Sequence, residues 1–323
     1  MQRLSLWLTI VMLLIVPACG HAQRADGYPN RAVRIIVPFV PGGATDILGR
    51  MAGQKLNERW NQPFVVENRA GGGGNIGAEF VAKAEPDGYT LMIGGSPHAI
   101  GMSLYNKLGY DLARDLAAVT NLATFASMII VHPSLPVKSV KELITLAKAR
   151  PGQLNYSATP GSPNHLAIEL LNVQASIKLV LISYKGAGQA LADVVAGHVQ
   201  VSSLGLPSAL TMVQAGKLRA LAVTSAKRST LLPETPTVAE SGVPGYEVIS
   251  WYGLFAPAHT PDAVQQRLYA ELTTQFKTPD VSRRLSSLGA EVSTLPPAEF
   301  ARFVRDEIRK WAPVVKASGA KAE

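Results

Sequence analysis

The chain has 323 residues, 47% of them hydrophobic and 17% charged, with a formal net charge of +8. That length accommodates roughly two domains of ordinary size. The apolar content excludes a disordered chain, and 28 glycines without a collagen period exclude a triple helix. A lone cysteine, Cys19, excludes an internal disulfide and a thiolate metal cluster.

Residues 1–22 stand apart from the rest. Arg3 precedes an apolar run over residues 4–16 broken only by Ser5 and Thr9, and the small, polar stretch Pro17-Ala18-Cys19-Gly20-His21-Ala22 follows. This is the pattern of a secretory signal peptide with cleavage after Ala22, and the run is shorter than the ~20 residues a membrane span needs. Val16-Pro17-Ala18-Cys19 also partly resembles a lipoprotein processing site, which leaves a lipid anchor at Cys19 open, although Pro17 fits it poorly. Removal of residues 1–22 deletes Arg3 and no acid, taking the charge from +8 to +7. The expected location is the periplasm.

From residue 32 onward, short apolar runs alternate with amphipathic segments. Strands are predicted over residues 33–37, 64–66 and 90–93, with helices over 44–60 and 76–84. The rhythm returns as strands over 154–157, 179–182, 199–203 and 218–223, with helices over 163–173, 189–196 and 207–215. Strands alternating with helices imply parallel sheets covered on both faces. Between the two series lie extended apolar stretches over 127–131 and 251–256. Each ends in a proline and leads into a helix start, at Ser139 with Glu142 and at Thr260-Pro261. The residues from 261 onward read as purely helical, packing back on the first series. The expected organisation is a signal peptide over 1–22, a discontinuous first lobe over 23–124 and 226–323, and a second lobe over 125–225. The matching extended stretches would be the crossovers.

Four strand-to-helix loops are small, polar and glycine-rich, at the carboxyl ends of strands where open α/β sheets bind ligands. Pro38-Phe39-Val40-Pro41-Gly42-Gly43-Ala44-Thr45-Asp46 is the first, with Thr45 or Asp46 able to cap the helix. The second, Ala70-Gly71-Gly72-Gly73-Gly74-Asn75-Ile76-Gly77, contains a G-x-G-x-x-G match. It begins several residues after its strand and has no acidic residue about 20 positions on, so it reads as an anion-facing loop at a helix N-terminus and no nucleotide cofactor is expected. The third runs from Tyr156 and Ser157 through Thr159, Gly161, Ser162 and His165. The fourth is Tyr184-Lys185-Gly186-Ala187-Gly188, with Asp193 two turns into the next helix, placed to meet a ligand amine or to tie down a neighbouring loop.

Catalytic and metal motifs are lacking. There is no H-E-x-x-H and no G-x-S-x-G, and His98, His132, His165, His198 and His259 have no helix-spaced ligand pattern. Pairs of Ser96 with His98, or Ser162 with His165, keep an exported hydrolase as the rival reading, at spacings that rarely give triad geometry. The positive charges are scattered, which argues against nucleic acid and for a modest field that favours small anions.

The same loops carry a family resemblance. Tyr28-Pro29, residues 38–46, Glu67-Asn68-Arg69 with the glycines that follow, Pro86-Asp87-Gly88-Tyr89-Thr90-Leu91, residues 161–165, Tyr184-Lys185-Gly186, Pro236-Thr237-Val238-Ala239-Glu240 and Trp251-Tyr252-Gly253-Leu254-Phe255-Ala256-Pro257 resemble, in order, the periplasmic solute-binding receptors of the tripartite tricarboxylate transporter system, the Bug receptors. The resemblance implies a type II periplasmic binding fold: two α/β lobes joined by two crossover strands, closing as a monomer on a small carboxylate. The ligand would be a di- or tricarboxylate, an acidic amino acid or an aromatic acid, handed to a membrane permease; a sensor without a transport partner is the further alternative. It implies ligand contacts from Gly42, Gly43, Ala44, Asp46, Ala70, Gly71 and Ser96 in the first lobe. In the second it implies Ser157, Thr159, Gly161, Ser162, His165, Lys185, Gly186 and Asp193. The Ser96-Pro97-His98 segment departs from the hydroxyl-, glycine- or aromatic-rich stretch common in the family, a segment that helps select the ligand.

Overall fold

The computed structural model describes residues 27–184 and 186–320; the leader, Cys19 and Lys185 lie outside them. The first βα series forms as its apolar periodicity dictates. Strand β1 (Val33–Val37) leads into α1 (Ala44–Trp60), β2 (Phe64–Asn68) into α2 (Asn75–Ala82), and β3 (Thr90–Gly95) directly into α3 (Ser96–Leu104). Strand β1 lies parallel between β2 and β3, with Ile35 opposite Val66 and Leu91. Strand β1 is buried at four of five positions and β3 at five of six, the near-continuous apolar run expected of strands covered on both faces.

The second series repeats the plan. Helix α4 (Val140–Ala149) precedes β5 (Leu154–Ala158), α5 (Pro163–Ala175), β6 (Leu179–Ser183), α6 (Ala187–Val195), β7 (Val201–Gly205), α7 (Leu206–Gln214) and β8 (Arg219–Val223). The α4 start is capped as its sequence specifies: Ser139 Oγ accepts the Glu142 N–H at 3.2 Å, and Glu142 Oε2 accepts the Lys138 N–H at 2.7 Å. Strands β7 and β6 flank β5 in parallel.

One long strand joins the halves. Strand β4 (Leu116–Val131) pairs antiparallel with β9 (Ile249–Pro257) along its first two thirds, then with β7 and β8 from Ser127 onward. The sheet order is β2-β1-β3-β9-β4-β7-β5-β6, with β8 and β10 (Ala290–Val292) also on β4. The chain returns to the first half close to Ile249, later than residue 226. Residues 237–248 belong with the second half: the Val238 N–H donates to Val223 O at 3.0 Å, and Tyr246 Oη donates to Ala167 O at 2.9 Å.

The C-terminal region departs from the sequence reading in two ways. It is not purely helical, because β10 pairs with β4 through Ala290 opposite Phe125, between α9 (Pro279–Ser287) and α10 (Pro297–Ser318). Nor does it pack on the first half alone. Helix α8 (Asp262–Phe276) buries Leu268, Leu272 and Phe276 there, but α10 straddles both. Its Phe300 and Val304 join the core of Trp251 and Phe255, while Trp311, Val314 and Val315 join that of Ile129, Tyr156 and Leu166. Between these sets the buried Glu307 accepts the indole N–H of Trp251 at 3.0 Å and of Trp311 at 3.1 Å. A buried carboxylate needs such donors to offset its lost hydration. Helix α3 bridges in the same way, with Ile100 in the second-half core.

Candidate ligand-binding site

The carboxyl ends of the parallel strands in both halves bring their loops toward the β4 crossing. The first loop turns at Gly42, whose φ of +91° is a left-handed conformation that favours glycine. Its N–H donates to Asp46 Oδ2 at 3.0 Å, four residues on. Asp46 is thus a clamp on the loop, while the N-cap itself is Gly43, which has no side chain to accept the N–H groups at the start of α1. Arg50 and Asn68 complete the clamp, each donating to Asp46 Oδ1 at 2.9 Å, and Asn68 also donates to Phe39 O at 3.0 Å. The bond from Arg50, with those from Gly42 and Asn68, outweighs burial and lowers the Asp46 pKa to about 2. The acid is ionised and fully engaged.

The glycine loop has positive φ at Gly71, Gly72, Gly73 and Gly74. Two of these permit close approach. A Cβ on Gly73 would collide with the Tyr105 hydroxyl, and one on Gly74 would stand 2.8 Å from Phe39 Cζ and 3.0 Å from His98 Nε2. Ala70 is exposed beside this loop. His98 lies fully buried against the Phe39 ring, its Nδ1 accepting the Gly95 N–H at 3.2 Å, and burial lowers its pKa to about 4. It is a neutral buttress under both first-half loops.

The third loop is held by the same device. Gly161 has a φ of +73°, and its N–H donates to His165 Nδ1 at 3.0 Å, again four residues on. Ser162 caps α5 by accepting the His165 backbone N–H at 3.2 Å. His165 stacks on Tyr156 with planes 15° apart, and burial lowers its pKa to about 4, so the ring accepts as neutral imidazole. Gly186 caps α6 with open space beside it. Thr159 is half-buried, its carbonyl accepting the Ser162 N–H at 3.1 Å.

Three expected contacts make bonds within the fold. Ser96 is buried between strands and accepts the Trp251 N–H at 2.8 Å. Ser157 is buried too, bonded to the Ser202 hydroxyl at 3.0 Å. Asp193 accepts the Tyr184 hydroxyl at 2.6 Å and lies 3.5 Å from His198 Nδ1, so it ties down the fourth loop. Neither Ser–His pair of the rival reading forms a hydroxyl-to-imidazole bond among the described residues: Ser96 serves β9, and Ser162 serves a backbone N–H. Lys185 lies outside the described residues.

The structure also adds residues that sequence spacing passed over. Leu104 and Tyr105, at the end of α3, reach both sets of loops: Tyr105 lies on Gly73, and a Cβ on Gly161 would stand 2.7 Å from Leu104 Cδ2. On the other side of the crossing, Pro207 at the start of α7 packs on Gly289, whose φ is +69°. Beside the helices that enter both cores, the halves therefore also meet at Gly161 and Gly289, each under an apolar tip from the other half. The missed signal in the sequence was Leu206-Pro207 directly after a strand, the same strand-to-helix position as the four loops.

Comparison with known proteins follows the same lines. A family model described as the tripartite tricarboxylate transporter family receptor matches residues 48–320. Protein BugT of Bordetella pertussis is 36% identical over 319 residues, 97% of this chain and 98% of the relative. An R. palustris protein solved with adipate is 38% identical with a TM-score of 0.75, covering 91% of this chain and 99% of that one. MatC from Rhodopseudomonas palustris, solved with bound malate, is 31% identical with a TM-score of 0.72, covering 89% and 100%.

Proposed function

The chain belongs to the tripartite tricarboxylate transporter receptor family, and we propose that, as an exported solute-binding receptor, it closes its two halves on one small organic anion bearing a carboxylate. The supporting observation is the paired glycine clamp. Gly42 with Asp46 and Gly161 with His165 hold the start of one helix in each half in a fixed pose beside the crossing strand. The N–H groups at a helix start have no intrahelical acceptor and favour negative charge. A carboxylate between the two starts gains charge-assisted hydrogen bonds of about 1.5–3 kcal/mol each once water is excluded. Adipate and malate in the related complexes make a di-acid the first ligand to test.

Delivery to a membrane permease follows from the family, because closure presents a joint surface that the open form lacks. This reading assigns no catalytic role: Ser96 and Ser162 each accept a backbone N–H, and Asp46 is held ionised by its partners. The protein is proposed to act as a monomer, with residues 1–22 as its export signal.

A thermal-shift series against mono-, di- and tricarboxylates, amino acids and aromatic acids tests the reading. A saturating ligand at 100 times its Kd is expected to stabilise the fold by about 2.7 kcal/mol. No shift with any carboxylate would reject it.

A further inference from the structure

Beside the first loop lies a cavity of about 190 Å³ lined only by Ala44, Ile47, Leu48, Phe125, Leu285 and Leu288. Three elements build it: the first turns of α1, the crossing strand β4 and the end of α9. Ala44 is the first residue of α1, so a residue that lines the cavity also belongs to the helix start that the proposed function assigns to the carboxylate. Asp46, in the same first turn of α1, is already bonded to Gly42, Arg50 and Asn68 and offers the cavity no free charge. Ile47 and Leu288 are half-exposed, so the apolar lining reaches solvent.

The size is informative. An engineered cavity of about 150 Å³ with a comparable aliphatic and aromatic lining stays dry and takes up benzene. A space of this volume and lining at a carboxylate-binding helix start suits a ring or short branched alkyl group attached close to the carboxylate. We propose that this cavity is a subsite for the apolar body of the ligand, and that the preferred class is an aryl- or alkyl-substituted carboxylic acid. This rests on the carboxylate reading and adds a second, independent point of recognition. Leu288 neighbours Gly289, where the halves touch, so a ligand filling the cavity would also support that contact.

Calorimetry with benzoate, phenylacetate, acetate and succinate tests it. One methylene in an apolar pocket changes discrimination by about 10- to 200-fold, so the aryl acids should bind at least about tenfold tighter than acetate. Leu288→Trp, which fills the cavity, should remove that advantage while leaving succinate within about twofold. Aryl acids binding no tighter than acetate, or an advantage that survives Leu288→Trp, would overturn the subsite. Succinate binding without an aryl preference removes the subsite alone, whereas no binding by any of the four removes the carboxylate reading for these acids as well. Should Leu288→Trp fail to fold, the unmodified protein decides: the methyl resonances of Ile47 and Leu288 must move with phenylacetate and not with acetate, and unmoved methyls reject the proposal.

Discussion

The first and third loops solve one problem with opposite electrostatics. In each, a glycine of positive φ precedes the N-cap of a helix, and its N–H is accepted by the side chain at the third helical position. In the first half the acceptor is Asp46, ionised and braced by Arg50 and Asn68; in the second it is His165, neutral and braced by its stack on Tyr156. The charged clamp tolerates water nearby because a salt bridge holds it. The neutral clamp depends on burial, and so it is open to acid. The surroundings differ as well: Gly42 has no atom within 4 Å of an added Cβ, whereas Gly161 lies under Leu104 of the other half.

The largest effect is expected at the shared function of the two loops. Gly43 has an ordinary φ of −82° and open space around it, so Gly43→Glu should leave the fold intact while placing a carboxylate where the ligand's would sit. The melting shift with a bound acid, about 2.7 kcal/mol at 100 times its Kd, should vanish; a retained shift would remove this loop from the site. Next, Gly161→Ala combines left-handed strain of about 1–2 kcal/mol with overpacking of about 1–3 kcal/mol against Leu104. Adding Leu104→Ala should restore the overpacking part in a double-mutant cycle of chemical denaturation, and simple additivity would show that the contact carries no energy. Gly42→Ala should cost the strain alone, about 1–2 kcal/mol, with no second-site partner in the other half.

The smallest effect is a difference in pH response. His165 and His98 titrate lower in the folded chain, at about 4, than the ordinary 6.5, so the unfolded chain binds protons first. Stability should fall as pH drops from about 6.5 toward 4, and His165→Gln should flatten part of that slope, leaving the His98 share. The Asp46 pKa is lowered to about 2 from 3.8, so its contribution is present above pH 3.8 and is lost only as pH falls through about 2. Asp46→Asn should therefore leave the slope between pH 6.5 and 4 unchanged. Denaturant midpoints measured across pH check both, and an equal response from the two variants would erase the distinction between the clamps.

The sequence carried the alternation of strands and helices and the four loops, because period and glycine placement are local properties. It could not tell a hydroxyl facing a cleft from one facing the next strand. Ser96 and Ser157 sit at strand ends where ligand contacts are expected, and only the positions of Trp251 and Ser202 show the bonds they make within the fold. Strand β10 escaped notice since three residues, Ala290-Glu291-Val292, give no alternation to read. Helix α10 lies within the stretch legible as helical, yet helical periodicity specifies a face and not a partner. Phe300 and Trp311 lie on one helix and enter different cores. The contacts of Leu104 on Gly161 and Pro207 on Gly289 are purely tertiary.

The central claim, that one anion is held by both halves at once, is tested most directly by amide-resolved NMR during titration with the carboxylate that gives the greatest melting shift. The N–H resonances of Gly43 and Ala44 in the first half and of Gly161 and Gly186 in the second should move together and saturate with a single Kd. Shifts confined to one half, or two sets saturating at different concentrations, would contradict the account.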